Sequence, residues 1–211
     1  LINNISLMIR NEKKEIWVSL NNGISILDIE SQKFENYKFN QRSKNKFPNG
    51  FSSLILTNKN EIWITNSLSG LYRYNAADLS LINHYIFDIN NKNSITSSSL
   101  TSIIEYNDEL YIGSDGDGVF VFENDSLGFK NINEEDGLLS NNILGFLKTY
   151  QHLFILSTKG INYFDFEIMS SLTDGDNNNL RNINSEDGLL GGEYLNNGIT
   201  FYEDLLYLFS N

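Results

Sequence analysis

The chain has 211 residues, 40% of them hydrophobic, which suffices for one or two packed domains. Its formal net charge of −12 repels phosphate backbones and argues against nucleic-acid binding by this segment, while neutral ligands and cations remain possible. Cysteine is absent, which excludes disulfides and thiol chemistry. The sequence has no apolar run of about 18 residues, the length of a membrane-spanning helix, and no signal-peptide pattern. It opens at Leu1-Ile2-Asn3 without an initiator Met, so the expectation is an internal part of a longer gene product.

Taken in chain order, the elements repeat. Glu15-Ile16-Trp17-Val18-Ser19 leads to Gly23-Ile24-Ser25-Ile26, and Glu61-Ile62-Trp63-Ile64-Thr65 leads to Gly70-Leu71-Tyr72-Arg73-Tyr74. Glu109-Leu110-Tyr111-Ile112-Gly113 leads to Gly118-Val119-Phe120-Val121-Phe122, and Leu153-Phe154-Ile155-Leu156 leads to Gly160-Ile161-Asn162-Tyr163-Phe164. A further copy, Leu206-Tyr207-Leu208, stands near the end. The aromatic positions 17, 63, 111, 154 and 207 are spaced by 46, 48, 43 and 53 residues, and the glycines 23, 70, 118 and 160 by 47, 48 and 42. Each unit holds four strand-like runs divided by turn residues, and its innermost run is mostly apolar: Ser6 to Ile9, Ser53 to Leu56, Thr101 to Glu105, Leu144 to Leu147.

A period of about 40–50 residues with four strands per unit predicts an all-β chain, a β-propeller of four-stranded antiparallel blades. The blades are expected at 5–40, 51–88, 100–134 and 143–185, with an incomplete one at 193–211, making a single partial propeller. A Greek-key sandwich has no reason to keep the aromatic-to-glycine register. The repeated Trp or Tyr is expected to fill the space between neighbouring sheets, which stack about 10 Å apart. The repeated Gly is expected to supply positive φ in the turn between the second and third strands.

Several stretches resemble the two-component regulator propeller repeat of bacterial hybrid sensor kinases. Glu61 to Thr65 is similar to the family's "(D/N)-L-W-I-G-T" strand, and Asn93 to Glu105 to its "NSLSSNSVTSIIED". Glu135-Asp136-Gly137-Leu138-Leu139-Ser140-Asn141-Asn142-Ile143 resembles "EDGLPSNxV", and Glu186 to Tyr194 the variant "DGLP…EF". The family's Pro is Leu139 and Leu190 here, and its strand-end Gly is kept only at Gly113. The resemblance implies a periplasmic sensor region of an inner-membrane protein, built from rings of seven blades and followed elsewhere by a histidine kinase. It also implies recognition of oligosaccharides, no cofactor, and no catalysis in this segment.

On that architecture, the turns between second and third strands share a face with the connections between blades. The face carries Asn21, Asn22, Arg42, Ser67, Ser69, Asp115, Asp117 and Lys159, the candidate ligand-binding residues. Amides and carboxylates beside aromatics suit sugar hydroxyls, which both donate and accept, although turns select Asn, Asp and Ser in any case. Calcium is a weaker reading of Ser114-Asp115-Gly116-Asp117-Gly118 and of Asp174-Gly175-Asp176: neither keeps the alternate-oxygen pattern, and Ser185 stands where a Glu is required. The acid pairs Glu135-Asp136 and Glu186-Asp187 occupy corresponding repeats, which favours a turn role over glycoside hydrolysis. His84 and His152 are placed on opposite faces, so no His dyad or zinc site is expected. A non-catalytic platform for protein interaction, or self-association through exposed blade faces, is the alternative; a carbohydrate-active enzyme is a weaker one.

Overall fold

A computed structural model describes residues 5–10, 15–20, 23–38, 48, 51–91, 94–165, 180–189, 193–203 and 205–210. They form four four-stranded antiparallel sheets and one two-stranded sheet. The first sheet runs β1 (Ile5–Arg10), β2 (Glu15–Leu20), β3 (Gly23–Asp28), β4 (Lys33–Lys38). The second runs β5 (Ser53–Leu56), β6 (Glu61–Asn66), β7 (Gly70–Asn75), β8 (Leu81–Tyr85). The third comprises β9 (Leu100–Tyr106), β10 (Glu109–Ser114), β11 (Val119–Asn124) and β12 (Gly128–Ile132). The fourth comprises β13 (Ile143–Lys148), β14 (His152–Ser157), β15 (Gly160–Asp165) and β16 (Leu180–Ile183). β17 (Tyr194–Tyr202) and β18 (Leu205–Ser210) make the last pair. In every sheet the strands follow chain order, and the first strands of successive sheets lie against one another. That is the arrangement of propeller blades around an axis, here a partial propeller.

The cores lie between blades, and the repeated aromatic sits in each. Trp17 packs with Leu54, Ile62 and Ile64 of the second blade. Trp63 packs with Leu100, Ile103 and Ile112 of the third, and Tyr111 with Ile143, Leu153 and Ile155 of the fourth. Phe154, half-buried, joins Ile199, Leu206 and Leu208 of the last pair. Strand register explains the regularity. The aromatic always stands mid-sheet, between an inner apolar residue and a third-strand residue: Ile9-Trp17-Ile26, Ile55-Trp63-Arg73, Ile104-Tyr111-Val121, Leu147-Phe154-Tyr163. Tyr207 departs from the expectation that the ring fills an inter-sheet gap: it is exposed. Its neighbours Leu206 and Leu208 face the fourth blade instead, because successive side chains of a strand take opposite faces.

Two further features tie the ring to its place. The Trp17 and Trp63 indole N–H groups donate to Glu15 and Glu61 at 3.0 and 3.1 Å, and the Tyr111 hydroxyl to Glu109 at 2.7 Å. In the fourth blade the ring is Phe154, which has no donor, and His152 replaces the Glu. The repeated turn glycines Gly70, Gly118 and Gly160 have φ of +85°, +78° and +138°, as expected. They are also pressed against the outer strand: a Cβ at Gly70 would run into the Tyr85 carbonyl, and one at Gly118 into that of Ile132.

Candidate functional site

In the second, third and fourth blades the turns between second and third strands are built by one device. A polar side chain at the end of the second strand accepts from N–H groups ahead of it, a local bond that closes the turn. Asn66 Oδ1 accepts from the Leu68 and Ser69 N–H groups, both at 2.8 Å; Ser114 Oγ accepts from Asp117 N at 3.1 Å; Ser157 Oγ accepts from Lys159 N at 3.3 Å. Asn66, Ser114 and Ser157 are buried, so the turn tips carry the accessible groups.

The connection from the third blade to the fourth stitches two of these tips together. The N–H groups of Gly116 and Gly118 donate to the Asn141 carbonyl at 3.2 and 2.9 Å, and Thr158 N donates to that of Asn142 at 3.1 Å. Asp115 N reaches the Ser99 carbonyl at 2.9 Å. The same connection brings Glu134 to Lys159, whose Nζ donates to its carboxylate at 3.2 Å. The Lys159 ammonium, with the Asn141 N–H, holds the Glu134 carboxyl below the usual carboxylate range. Asp115, Asp117 and Lys159 therefore belong to one polar patch spanning two blades, with Asn141 and Asn142 between them.

Ser67 and Ser69 belong to the turn of the preceding blade. Ser67 is exposed, whereas the Ser69 hydroxyl is engaged: it donates to Asn66 Oδ1 at 2.8 Å and accepts from Tyr72 OH at 3.1 Å. His84 stacks on Tyr72 with ring centroids 3.9 Å apart, and its Nε2 lies 2.7 Å from the Ser69 carbonyl oxygen. His84 thus braces the turn. Asn21, Asn22 and Arg42 lie outside the described residues, as does Asp174-Gly175-Asp176.

The acid pairs close turns. Asn133 Oδ1 accepts from Glu135 N at 2.7 Å while Asp136 accepts from Asn133 N at 3.0 Å, capping a short 3-10 turn (Glu134–Asp136) that ends at Gly137 with φ +102°. Asn184 and Asp187 repeat this box around Ser185–Asp187, ending at Gly188 with φ +93°. Each Asp serves its own cap, the turn role that the corresponding repeats predict. Among the described residues no three His, Asp or Glu side chains gather as a metal site.

Two clefts escaped the sequence. One, of about 520 Å³, lies between the first two blades at the face opposite these turns, with Trp17, Tyr37, Glu15, Glu35, Lys33 and Asn60 on its walls. The Tyr37 hydroxyl donates to Glu35 there at 2.7 Å. Its residues come from strand ends 45 positions apart, Glu15 and Asn60 for example, so no local motif announces it. The other, of about 300 Å³, opens between β8 and β12.

No family model matches the chain, and no curated protein matches it. Solved structures do. Over 98% of its length the chain superposes, at TM-score 0.77 and 15% identity, on the extracellular domain of the putative hybrid two component system BT3049 from B. thetaiotaomicron. The corresponding domain of BT4673 from the same organism matches 97% of the chain at TM-score 0.71 and 12% identity. The computationally designed Ika8 protein matches 98% at TM-score 0.62 and 12% identity. The chain spans about a quarter of the two extracellular domains, 26% and 27% of their lengths. In fold, the chain is a partial β-propeller similar to the extracellular domains of hybrid two-component systems.

Proposed function

We propose that the chain is a segment of the ligand-sensing propeller of a two-component signalling protein, held outside the cytoplasm, in the periplasm, by a parent anchored in the inner membrane. The observation that carries this reading is the superposition of nearly the whole chain on extracellular domains of hybrid two-component systems. The segment binds without catalysing, and a histidine kinase elsewhere in the parent receives the signal. The ligand is an oligosaccharide. Support for that class comes from the patch around Asp115, Asp117, Asn141, Asn142 and Lys159, which offers acceptors and donors together. The test is thermal stability across a panel of oligosaccharides. A binder at a hundred times its Kd adds about 2.7 kcal/mol to stability and raises the midpoint; a panel without any shift removes the sugar reading.

One observation favours self-association as a second reading. Leu205, Tyr207 and Phe209 alternate along β18 on the side turned from the fourth blade, and all three are exposed. An apolar sheet face of this kind is suited to cover by another sheet. Light scattering over a concentration series, with and without sugar, separates the readings: mass that rises with concentration and ignores sugar supports association.

A further inference from the structure

β8 is the outer strand of the second blade and, among the described residues, bonds to β7 alone. The other outer strands carry charge: Lys33 and Glu35 in β4, Lys130 in β12, Arg181 in β16. Charge on an edge strand discourages pairing with another chain. β8 (Leu-Ile-Asn-His-Tyr) contains no Asp, Glu, Lys or Arg, and the run without them extends from Leu79 to Phe87. Leu81, Ile82, Ile86 and Phe87 are exposed along it. The His84 backbone N–H donates to the adjacent Asn83 Oδ1 at 2.8 Å rather than to β7. An incoming carbonyl can replace so local a bond. Beside this edge lies the cleft of about 300 Å³, with Ile86, Ile95 and Phe129 as apolar wall and Asp88 and Asp125 as acidic wall.

We propose that the free edge of β8 binds an extended segment of a partner protein, added as a further strand, with apolar side chains at alternate positions and basic side chains at both ends. Charge selects this occupant. Asp78 and Asp88 bracket the uncharged run at equal distances from Asn83. In a second copy paired antiparallel about Asn83, each Asp78 would oppose the other copy's Asp88, and like charges opposite one another destabilise a strand pair. Each copy also carries a net charge of −12. A strand with basic ends reverses both terms, while main-chain bonds supply affinity, as in other cases of strand addition.

The test uses the full chain and a fluorescent synthetic peptide of alternating Val and Thr, about six residues long as ordinary strands are, with Lys at both ends. Control peptides carry Glu at both ends, or N-methyl groups on alternate amides. The Lys-ended peptide binds at least about tenfold more tightly than the Glu-ended one, a difference of about 1.4 kcal/mol, and N-methylation abolishes binding. Ile82→Lys weakens the Lys-ended peptide about tenfold. The pair Asp78→Asn and Asp88→Asn keeps the turn acceptors and erases the preference for Lys over Glu. Absence of saturable binding, equal binding of the two peptides, or indifference to N-methylation overturns the proposal. So does a concentration-dependent dimer dispersed by Ile82→Lys, which would assign the edge to a second copy.

Discussion

Glu61 holds Trp63 from two residues away: its Oε2 accepts the indole N–H at 3.1 Å. The same carboxylate binds Arg73 twice, at 2.6 and 3.0 Å, and the guanidinium lies 5.2 Å from the centre of the Trp63 ring. One acid therefore fixes both the ring that fills the gap between blades and the cation stacked on it. Glu61→Ala leaves an indole N–H and a guanidinium without that partner and costs about 3 kcal/mol. Tyr111→Phe removes a single bond to Glu109 and costs about 1 kcal/mol. Urea unfolding of the two variants checks the order; equal losses would mean that the Arg73 link contributes nothing.

The turn glycines separate two effects. Gly118 combines a φ of +78° with an outer-strand carbonyl where a Cβ would sit, whereas Gly188 has a φ of +93° and open space around it. Gly118→Ala pays for both strain and collision, about 3 kcal/mol, and Gly188→Ala for strain alone, about 1 kcal/mol. Thermal melts of both variants decide; a Gly118→Ala midpoint equal to that of Gly188→Ala would show that the outer strand simply moves away.

Acid and alkali each weaken one cluster, from opposite ends of the pH scale. The Tyr85 hydroxyl holds the Asp125 carboxyl below the usual carboxylate range, against burial, which acts the other way, and with help from the Arg73 guanidinium. A lowered folded value means that the unfolded chain takes up the proton first. The contribution is complete above the unfolded value, about 3.9, and disappears as pH falls through the folded one. Burial, then the bond to Asp125, push the Tyr85 hydroxyl up to about 12. Its contribution is complete below about 10 and disappears as pH rises through the folded value. The stability difference between the wild type and Asp125→Asn is under about 1 kcal/mol at neutral pH, because Asp125 is half exposed. It shrinks toward zero in acid; a difference that persists below the carboxylate range contradicts this account.

The blades were legible because each repeat announces itself within a short window: Trp17, Trp63 and Tyr111 with their glycines mark a buried mid-sheet position and a left-handed turn. Tyr207 broke the pattern because a period locates a ring but does not say whether anything covers it. The acid pairs were readable as turn residues from their place in corresponding repeats, and the capping boxes of Asp136 and Asp187 supply the reason. The patch was half visible. Asp115, Asp117 and Lys159 read as turn tips in the sequence, but the backbone bonds through Asn141 and Asn142 that unite them depend on how neighbouring blades dock. Ser69 looked available from sequence, since its bonds to Asn66 and Tyr72 are tertiary. Neither cleft had a local signature.

The proposed oligosaccharide site is the face carrying Asp115, Asp117 and Lys159. Hydrogen–deuterium exchange with a stabilising oligosaccharide from the panel tests it most directly. The expected result is slowed exchange at Asp115–Asp117, at Asn141 and Asn142, and at Thr158–Lys159, with the cleft beside Trp17 and Tyr37 unchanged. Protection confined to that cleft, or to the edge of β8, would contradict it.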